Sequence, residues 1–135
     1  MRCLGIDYGT RRIGLAISDP SNTIARSYGL VNNGKKAIEQ IREIVELEGI
    51  THLIFGLPLH MSGDKGDKAL LVEEFAESVK AAVGEVEVLF EDERLTTVTA
   101  QRVLIEGDVR RKKRKEKIDA LAASLILQKY LDRIK

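Results

Sequence analysis

Four acidic side chains lie at the predicted ends of strands or helices. Asp7 ends an apolar strand, Asp92 and Glu93 follow a later strand, and Asp119 lies in the first turn of the last helix. A carboxylate at the end of an apolar strand is costly to desolvate unless a metal ion, hydrogen bonds or solvent compensate it. Converging carboxylates cannot all stay ionised without a cation, and hard oxygen ligands select Mg²⁺ or Mn²⁺. Two such ions about 4 Å apart can clamp the attacking and leaving oxygens of a phosphodiester.

Each acid also has a plainer interpretation. Asp7 can accept hydrogen bonds from the turn that follows it, and Asp92 and Glu93 can be solvated loop acids. Asp119 can complement the dipole of its helix. The presence of three such positions, each at the end of an element, favours a shared metal site. The residue pattern alone does not choose between Asp92 and Glu93.

The elements that must position these acids begin with GIDYGTRRIGLAISD at residues 5–19, which predicts two strands joined by a tight turn. Gly9 in that turn can take a positive φ at no steric cost. A third strand over 24–31 would complete an antiparallel meander. Alternation along the first strand gives one side formed by Leu4, Ile6 and Tyr8 and another formed by Cys3, Gly5 and Asp7.

The remaining chain alternates between helical and strand periodicity. Helices are predicted over 35–48, 68–83, 96–105 and from about 115 onwards, and strands over 52–55 and 86–91. Gly49 should end the first helix. The second helix carries an apolar stripe of Leu71, Val72, Phe75, Val79 and Ala82.

This order predicts one α/β domain spanning residues 1–135, with a mixed five-stranded sheet flanked by helices. Three antiparallel strands come first, followed by two parallel crossover strands. The carboxyl ends of the parallel strands then share one edge, where sheets of this kind bind ligands. Asp7 and the acids at 92–93 would meet at that edge.

A basic run, RRKKRKEK at 110–117, directly precedes Asp119. Such runs are often solvated segments. Beside a metal site, however, they would flank the path of a polyanion and neutralise its phosphates. Arg11 and Arg12 in the first turn would add to this surface. Aromatic residues make up only 4% of the chain, which argues against a base-stacking platform.

Composition limits the classes of partner. The 135 residues include 22 basic and 21 acidic side chains, so the net charge of +1 by itself indicates no nucleic-acid partner. The single cysteine, Cys3, lies in a predicted buried strand and fits a reducing compartment. There is no apolar run near the roughly 20 residues that span a bilayer. A soluble, cytoplasmic protein without a membrane partner is expected, and its oligomeric state is not indicated.

Four stretches, in order, resemble the YqgF/RuvX family of RNase H-like nucleases. They are GIDYGTRRIGLAISD at 5–19, GLPLHMSGDKG at 56–66, DERLTT at 92–97 and KIDALAASLILQ at 117–128. The resemblance implies an RNase H-like fold and a divalent-metal site of Asp7, Glu93 and Asp119, so it favours Glu93 over Asp92. It also implies maturation of the end of precursor 16S ribosomal RNA. Residues 60–63 read His-Met-Ser-Gly where the family commonly has Asn-Met-Asp-Gly.

The leading hypothesis is a metal-dependent endonuclease acting on structured RNA with two Mg²⁺ or Mn²⁺ ions. The alternatives are a Holliday junction resolvase of the RuvC type acting on branched DNA, and a non-catalytic RNA-binding factor. A nucleotide-binding ATPase module is disfavoured because such folds need two domains facing a cleft. The side chains expected to hold the nucleic-acid backbone are Arg11, Arg12, Arg94, Arg110, Arg111, Lys112, Lys113 and Arg114.

Overall fold

A computed structural model describes residues 1–59, 62–63, 65–93 and 111–134, and for residues 111–120 it describes the backbone alone. The strands are β1 (Cys3–Tyr8), β2 (Arg12–Ser18), β3 (Ala25–Asn32), β4 (His52–Leu57) and β5 (Glu87–Asp92). The helices are α1 (Ala37–Glu48), α2 (Asp67–Val83) and α3 (Arg111–Arg133). The predicted helix at 96–105 lies outside the described residues. In the described ranges, no helix has the length and apolar character required to cross a membrane.

The five strands form one mixed sheet in the order β3-β2-β1-β4-β5. The first three pair antiparallel, whereas β4 runs parallel to both β1 and β5. This arrangement confirms the predicted meander followed by two crossover strands. It brings the carboxyl ends of β1, β4 and β5 to one edge.

Side-chain alternation along β1 divides the core into two layers. Leu4 and Ile6 pack with α1 and α2 on one face of the sheet, while Cys3 packs with α3 on the other. Burial raises the pKa of the Cys3 thiol, as expected for a structural cysteine. Because successive side chains point to opposite faces, Asp7 belongs to the α3 face. Tyr8 points the other way, and its ring lies 4.7 Å from that of Phe75 on α2.

Helix α1 ends at Gly49, as predicted. Gly49 adopts a left-handed conformation with φ of 64°, and the N–H of Ile50 donates to the carbonyl of Val45 at 3.0 Å. The N–H of Gly49 donates to the same carbonyl, so the helix ends in a turn closed by two backbone hydrogen bonds.

The apolar stripe predicted for α2 is partly wrong. The side chains buried against the sheet are Ala69, Val72, Ala76 and Val79. Leu71 is 46% exposed and Ala82 is also exposed. Small alanines at two of the four buried positions let the helix lie close to the sheet, whereas apolar periodicity gave more weight to larger side chains.

The turn between β1 and β2 requires glycine for its small size. Gly9 does not take a positive φ. Glycine is needed there for space, because a Cβ atom at this position would collide with the carbonyl oxygen of Arg12. Sequence pattern could not distinguish this steric requirement from a conformational one.

Helix α3 begins earlier than predicted, at Arg111 and not near Lys115. Lys, Arg and Glu are good helix formers even without an apolar stripe, which explains why the basic run continues the helix. Asp119 therefore lies eight residues beyond the start of α3, more than two turns inside it and not in its first turn. Its interpretation as a first-turn acid that complements the dipole is wrong.

Close contact between α3 and β1 depends on Gly5. A Cβ atom there would lie 2.8 Å from Cβ of Leu127 and 3.0 Å from the carbonyl oxygen of Ala123. Gln128 continues the contact to β3, accepting a hydrogen bond from the N–H of Ala25 at 2.8 Å. Helix α3 thus lies directly over the strand that carries Asp7.

Candidate active site

Asp7 and Glu93 meet at the carboxyl edge of the parallel strands. Strand β4 lies between β1 and β5, and its pairing places Ile6 beside Phe55 and Asp92 beside Leu57. Glu93 directly follows β5, and its N–H donates to the carbonyl of Leu57 at 3.2 Å. The carboxyl groups of Glu93 and Asp7 are joined by a hydrogen bond. The parallel order of the strands therefore brings these two predicted acids together.

A glycine on the intervening strand makes room for this contact. A Cβ atom at Gly56 would lie 2.6 Å from Oε2 of Glu93 and would also collide with the side chain of Ile126. A larger residue would displace the carboxyl group, the helix or both. The first residue of the GLPL stretch thus has a steric function that its sequence context did not reveal.

The two carboxyl groups share a proton in the absence of a cation. Burial is the main cause that raises the pKa of Glu93 from its ordinary 4.5 to about 8. The negative charge of Asp7 and the hydrogen bond to it raise this pKa further, Asp92 adds a smaller effect, and Lys68 opposes them. With a pKa of about 8, Glu93 is largely neutral at pH 7 when no cation is bound, and a bound cation would replace its proton.

The chemistry of this pair fits a divalent cation. Both side chains offer hard oxygen ligands, and a cation would relieve the repulsion that now keeps one of them protonated. Among the described side chains, no group of three metal-ligating residues occurs. The predicted third ligand, Asp119, has its side chain outside the described residues.

The backbone of α3 does run towards the pair. Cys3 packs in the cluster that contains Leu131, while Gly5 contacts Leu127 and Ala123. Moving along β1 towards Asp7 therefore means moving back along α3. Helical periodicity places position 119 one turn before Ala123, at the end of the helix nearer Asp7.

A cavity of about 400 Å³ opens above the two carboxyl groups. One wall is the turn between β1 and β2, and another is the beginning of α2. The lining residues are Asp7, Tyr8, Gly9, Thr10, Arg11, Arg12, Pro58, Lys68, Leu71, Val72 and Glu93.

The turn wall is braced by Asn33. Its side-chain Nδ2 donates to the carbonyl of Gly9 at 2.8 Å, and its backbone N–H donates to the carbonyl of Arg11 at 2.8 Å. Arg11 and Arg12 consequently flank the acidic floor on a fixed segment. Both line the cavity together with the carboxyl pair, and their contact with nucleic acid stays a prediction.

Comparison with known proteins identifies the family. The model of the RuvX family, described as a Holliday junction resolvase, matches residues 1–133. The chain belongs to the RuvX family. A relative from Thermoanaerobacter pseudethanolicus, named as a candidate pre-16S rRNA nuclease, is 47% identical over 135 residues, covering 98% of this chain and 96% of the relative. One from Syntrophomonas wolfei with the same name is 42% identical over 134 residues, covering 98% and 94%.

Solved structures share the fold at low sequence identity. The fowlpox virus resolvase bound to Holliday junction DNA superposes with a TM-score of 0.61 at 14% identity, covering 99% of each chain. Thermus thermophilus RuvC with a Holliday junction substrate gives 0.58 at 16%, covering 99% of this chain and 96% of RuvC. The RuvX chain thus has the RNase H-like fold that its sequence predicted.

The remaining predicted basic residues of this RuvX protein cannot be placed at the site. Arg94 and Arg110 lie outside the described residues, and the side chains of the first turn of α3 do as well. That turn comprises Arg111, Lys112, Lys113 and Arg114. Their contact with nucleic acid stays a prediction.

Sequence reasoning missed the residues that hold the end of β5. Lys129 Nζ donates to the carbonyl of Asp92 at 2.7 Å, and Arg133 pairs with Glu91 at 2.7 Å. Glu91 is 5% exposed, so this contact anchors the strand just before Glu93. The sequence signal that could have identified them is the spacing of Lys129 and Arg133, which are four residues apart and therefore lie on one face of α3. Lys68 was also missed, and no sequence pattern linked it to the site.

Proposed function

We propose that this chain is a metal-dependent endonuclease, a phosphodiester hydrolase that processes the end of precursor small-subunit (16S) ribosomal RNA. The observation that carries the proposal is the Asp7–Glu93 carboxyl pair on the floor of a cavity flanked by Arg11 and Arg12. An acidic floor next to cationic walls suits a phosphodiester held over a metal site. The names of the curated relatives support ribosomal RNA as the substrate.

Asp7, Glu93 and Asp119 would hold Mg²⁺ or Mn²⁺, which supplies positive charge that stabilises the reacting phosphate. Two ions would account for the three carboxylates. The protein contributes the geometry: Gly56 leaves room for the pair, and Lys129 with Arg133 anchors the strand that ends at Glu93. Arg11 and Arg12 would bind phosphate oxygens beside the scissile bond, as cations in a partly closed site do. The basic first turn of α3 would extend this path.

The decisive experiment is a cleavage assay with Mg²⁺ or Mn²⁺. A precursor 16S ribosomal RNA fragment, a four-way DNA junction and an unstructured strand would be compared for the wild type and Asp7→Asn. We expect the RNA to be cut and the variant to lose at least about 10²-fold in rate, because a group that binds charge at the reaction centre is removed. Glu43→Gln, at an exposed position on α1, serves as the control. Undiminished cleavage by Asp7→Asn would overturn the metal-site mechanism.

The second candidate is resolution of branched DNA, favoured by the description of the family model as a Holliday junction resolvase. Resolution requires two symmetric cuts and therefore two sites working together. Paired cuts in the junction by a dimer, with the RNA left intact, would select this activity. Binding of the RNA without any cleavage would select a non-catalytic RNA-binding factor.

A further inference from the structure

The α2 wall of the cavity carries two side chains that neither the fold nor the carboxyl site requires. Lys68 and Leu71 both line the cavity. They are three residues apart, so they share one face of the helix. Leu71 is 46% exposed and lies outside the buried stripe of α2. An exposed leucine beside a lysine in an acidic cavity is suited to contact a ligand, whereas neither side chain is packed in the core.

The charge of Lys68 acts within the site. Lys68 lines the same cavity as Asp7 and Glu93, which places its ammonium group beside the acidic floor. Arg11 and Arg12, on the turn between β1 and β2, also line the cavity. An anionic strand that enters the cavity would therefore meet cations from two separate elements.

The size of the cavity limits what can enter. About 400 Å³ lies near the lower end of the roughly 300–1,000 Å³ typical of small-molecule sites. That space is of the order of one nucleotide, so a stacked base pair would not fit wholly within it. The apolar contribution of Leu71 also suits an exposed sugar or base better than a second phosphate.

We propose that Lys68 and Leu71 form a subsite for one unpaired nucleotide next to the scissile phosphate. Lys68 binds the phosphate of that nucleotide, and Leu71 packs against its sugar or base. This inference rests on the proposed function, in that the ligand is a polynucleotide strand. The subsite would extend the substrate-binding surface onto α2. It would also give the protein a preference for a strand that is unpaired next to the scissile phosphate.

The test measures binding and cleavage separately. Fluorescence anisotropy in a chelating buffer would follow an unpaired RNA strand, a DNA strand of the same sequence and a fully paired RNA duplex. The variants are Lys68→Met, with Lys68→Arg to restore the charge, and Leu71→Ser. Matched controls are Lys80→Met, at an exposed position near the end of the same helix, and Leu70→Ser, which is 57% exposed but does not line the cavity.

Lys68→Met should weaken binding of the unpaired strand about 5- to 10-fold. It should also reduce the slope of log affinity against log salt concentration by about 0.7, because one phosphate contact of a single strand is lost. Lys68→Arg should restore both values. Leu71→Ser should weaken binding about 5-fold without changing the slope, because it removes apolar contact and no charge. The two control variants and duplex binding should change little. Equal losses with RNA and DNA strands would show that the subsite reads no 2′-hydroxyl.

Three results would overturn the subsite. The first is an equal affinity of Lys68→Met and Lys80→Met for the unpaired strand, and the second is an equal affinity of Leu71→Ser and Leu70→Ser. The third is a loss of affinity that is as large for the duplex as for the unpaired strand. Any of them, with wild-type cleavage intact, would leave the proposed function standing. Wild-type binding without cleavage would overturn the proposed function, while weaker binding by Lys68→Met would still support the subsite. Failure of the wild type to bind any strand would overturn both.

Discussion

The amino and carboxyl ends of the parallel strands differ in which charged side chains lie next to each other. At the amino ends, Arg2 lies 3.3 Å from Glu48, and Nε2 of His52 lies 3.1 Å from Glu87, at the start of β5. At the carboxyl ends, Asp7 and Glu93 are two acids held against each other. The amino edge thus carries an Arg–Glu ion pair and a His–Glu contact, whereas the carboxyl edge carries two acids.

This difference separates structural from functional electrostatics. Partly exposed pairs of opposite charge add little to stability and need no ligand. A partly buried pair of acids is unfavourable unless a proton or a cation joins it, and such perturbed groups cluster at functional sites. Here the fold keeps the pair together through Gly56, Lys129 and Arg133. The carboxyl edge is therefore where we place the chemistry.

The largest expected effect compares two glutamates at opposite ends of β5. Glu93→Gln should reduce metal-dependent cleavage by at least about 10²-fold, because it removes a charged ligand at the reaction centre. Glu87→Gln should leave the rate within about 2-fold, because it touches only the pair with His52 at the far edge. Single-turnover cleavage rates of both variants would test this expectation. Similar rate losses in both variants would contradict the assignment of the chemistry to the carboxyl edge.

A smaller effect is expected when the space between the acids is filled. Gly56→Ala places a Cβ atom against Glu93 Oε2 and Ile126, which should cost about 1–3 kcal/mol of unfolding free energy and about 10-fold in cleavage rate. Gly34→Ala is the control, because nothing lies within 4 Å of its Cβ position. Urea unfolding and cleavage assays would measure both effects. Unchanged activity in Gly56→Ala would mean that the carboxyl pair needs no such clearance.

The pH dependence of stability should also distinguish the edges. In metal-free protein, folded Glu93 keeps its proton up to about pH 8, whereas the unfolded chain releases it near 4.5. The folded state then binds more protons, so this contribution to stability is complete below pH 4.5 and is lost as pH rises towards 8. Glu93→Gln should remove that loss, and Glu87→Gln should retain it. Urea unfolding at several pH values tests this, and a pH-independent difference between wild type and Glu93→Gln would contradict it.

The smallest effect belongs to the amino edge. Glu48→Gln should lower the unfolding free energy by about 1 kcal/mol or less, because the side chains of Arg2 and Glu48 remain 34% and 23% exposed. The new amide can still accept the hydrogen bond from Tyr28, which now lies 3.3 Å from Glu48. Urea unfolding at low and high salt would measure the change. A loss of several kcal/mol would show that this edge carries more of the stability than its pairs suggest.

Much of the architecture follows from local pattern. Alternation along residues 3–18 was enough to predict β1, β2 and the two faces of the sheet, because strand periodicity has a fixed geometric meaning. Gly49 was identified as a helix end from its residue type alone. The basic run before Lys115 was harder to interpret, because helix propensity without an apolar stripe leaves no periodic signal.

By itself, the sequence determined the order of elements, the mixed sheet, the family and the edge at which Asp7 and Glu93 meet. The elements, the sheet and its edge depend on periodicity and strand direction, which nearby residues encode. The family and the choice of Glu93 over Asp92 came from the resemblance of four stretches to the RuvX family. Only the tertiary structure decided why Gly5 and Gly56 are glycines, which stripe of α2 is buried, and that Lys68 and Leu71 face the carboxyl pair. Those features depend on how closely separate elements approach, a distance set by packing across the whole core and by no local run of residues.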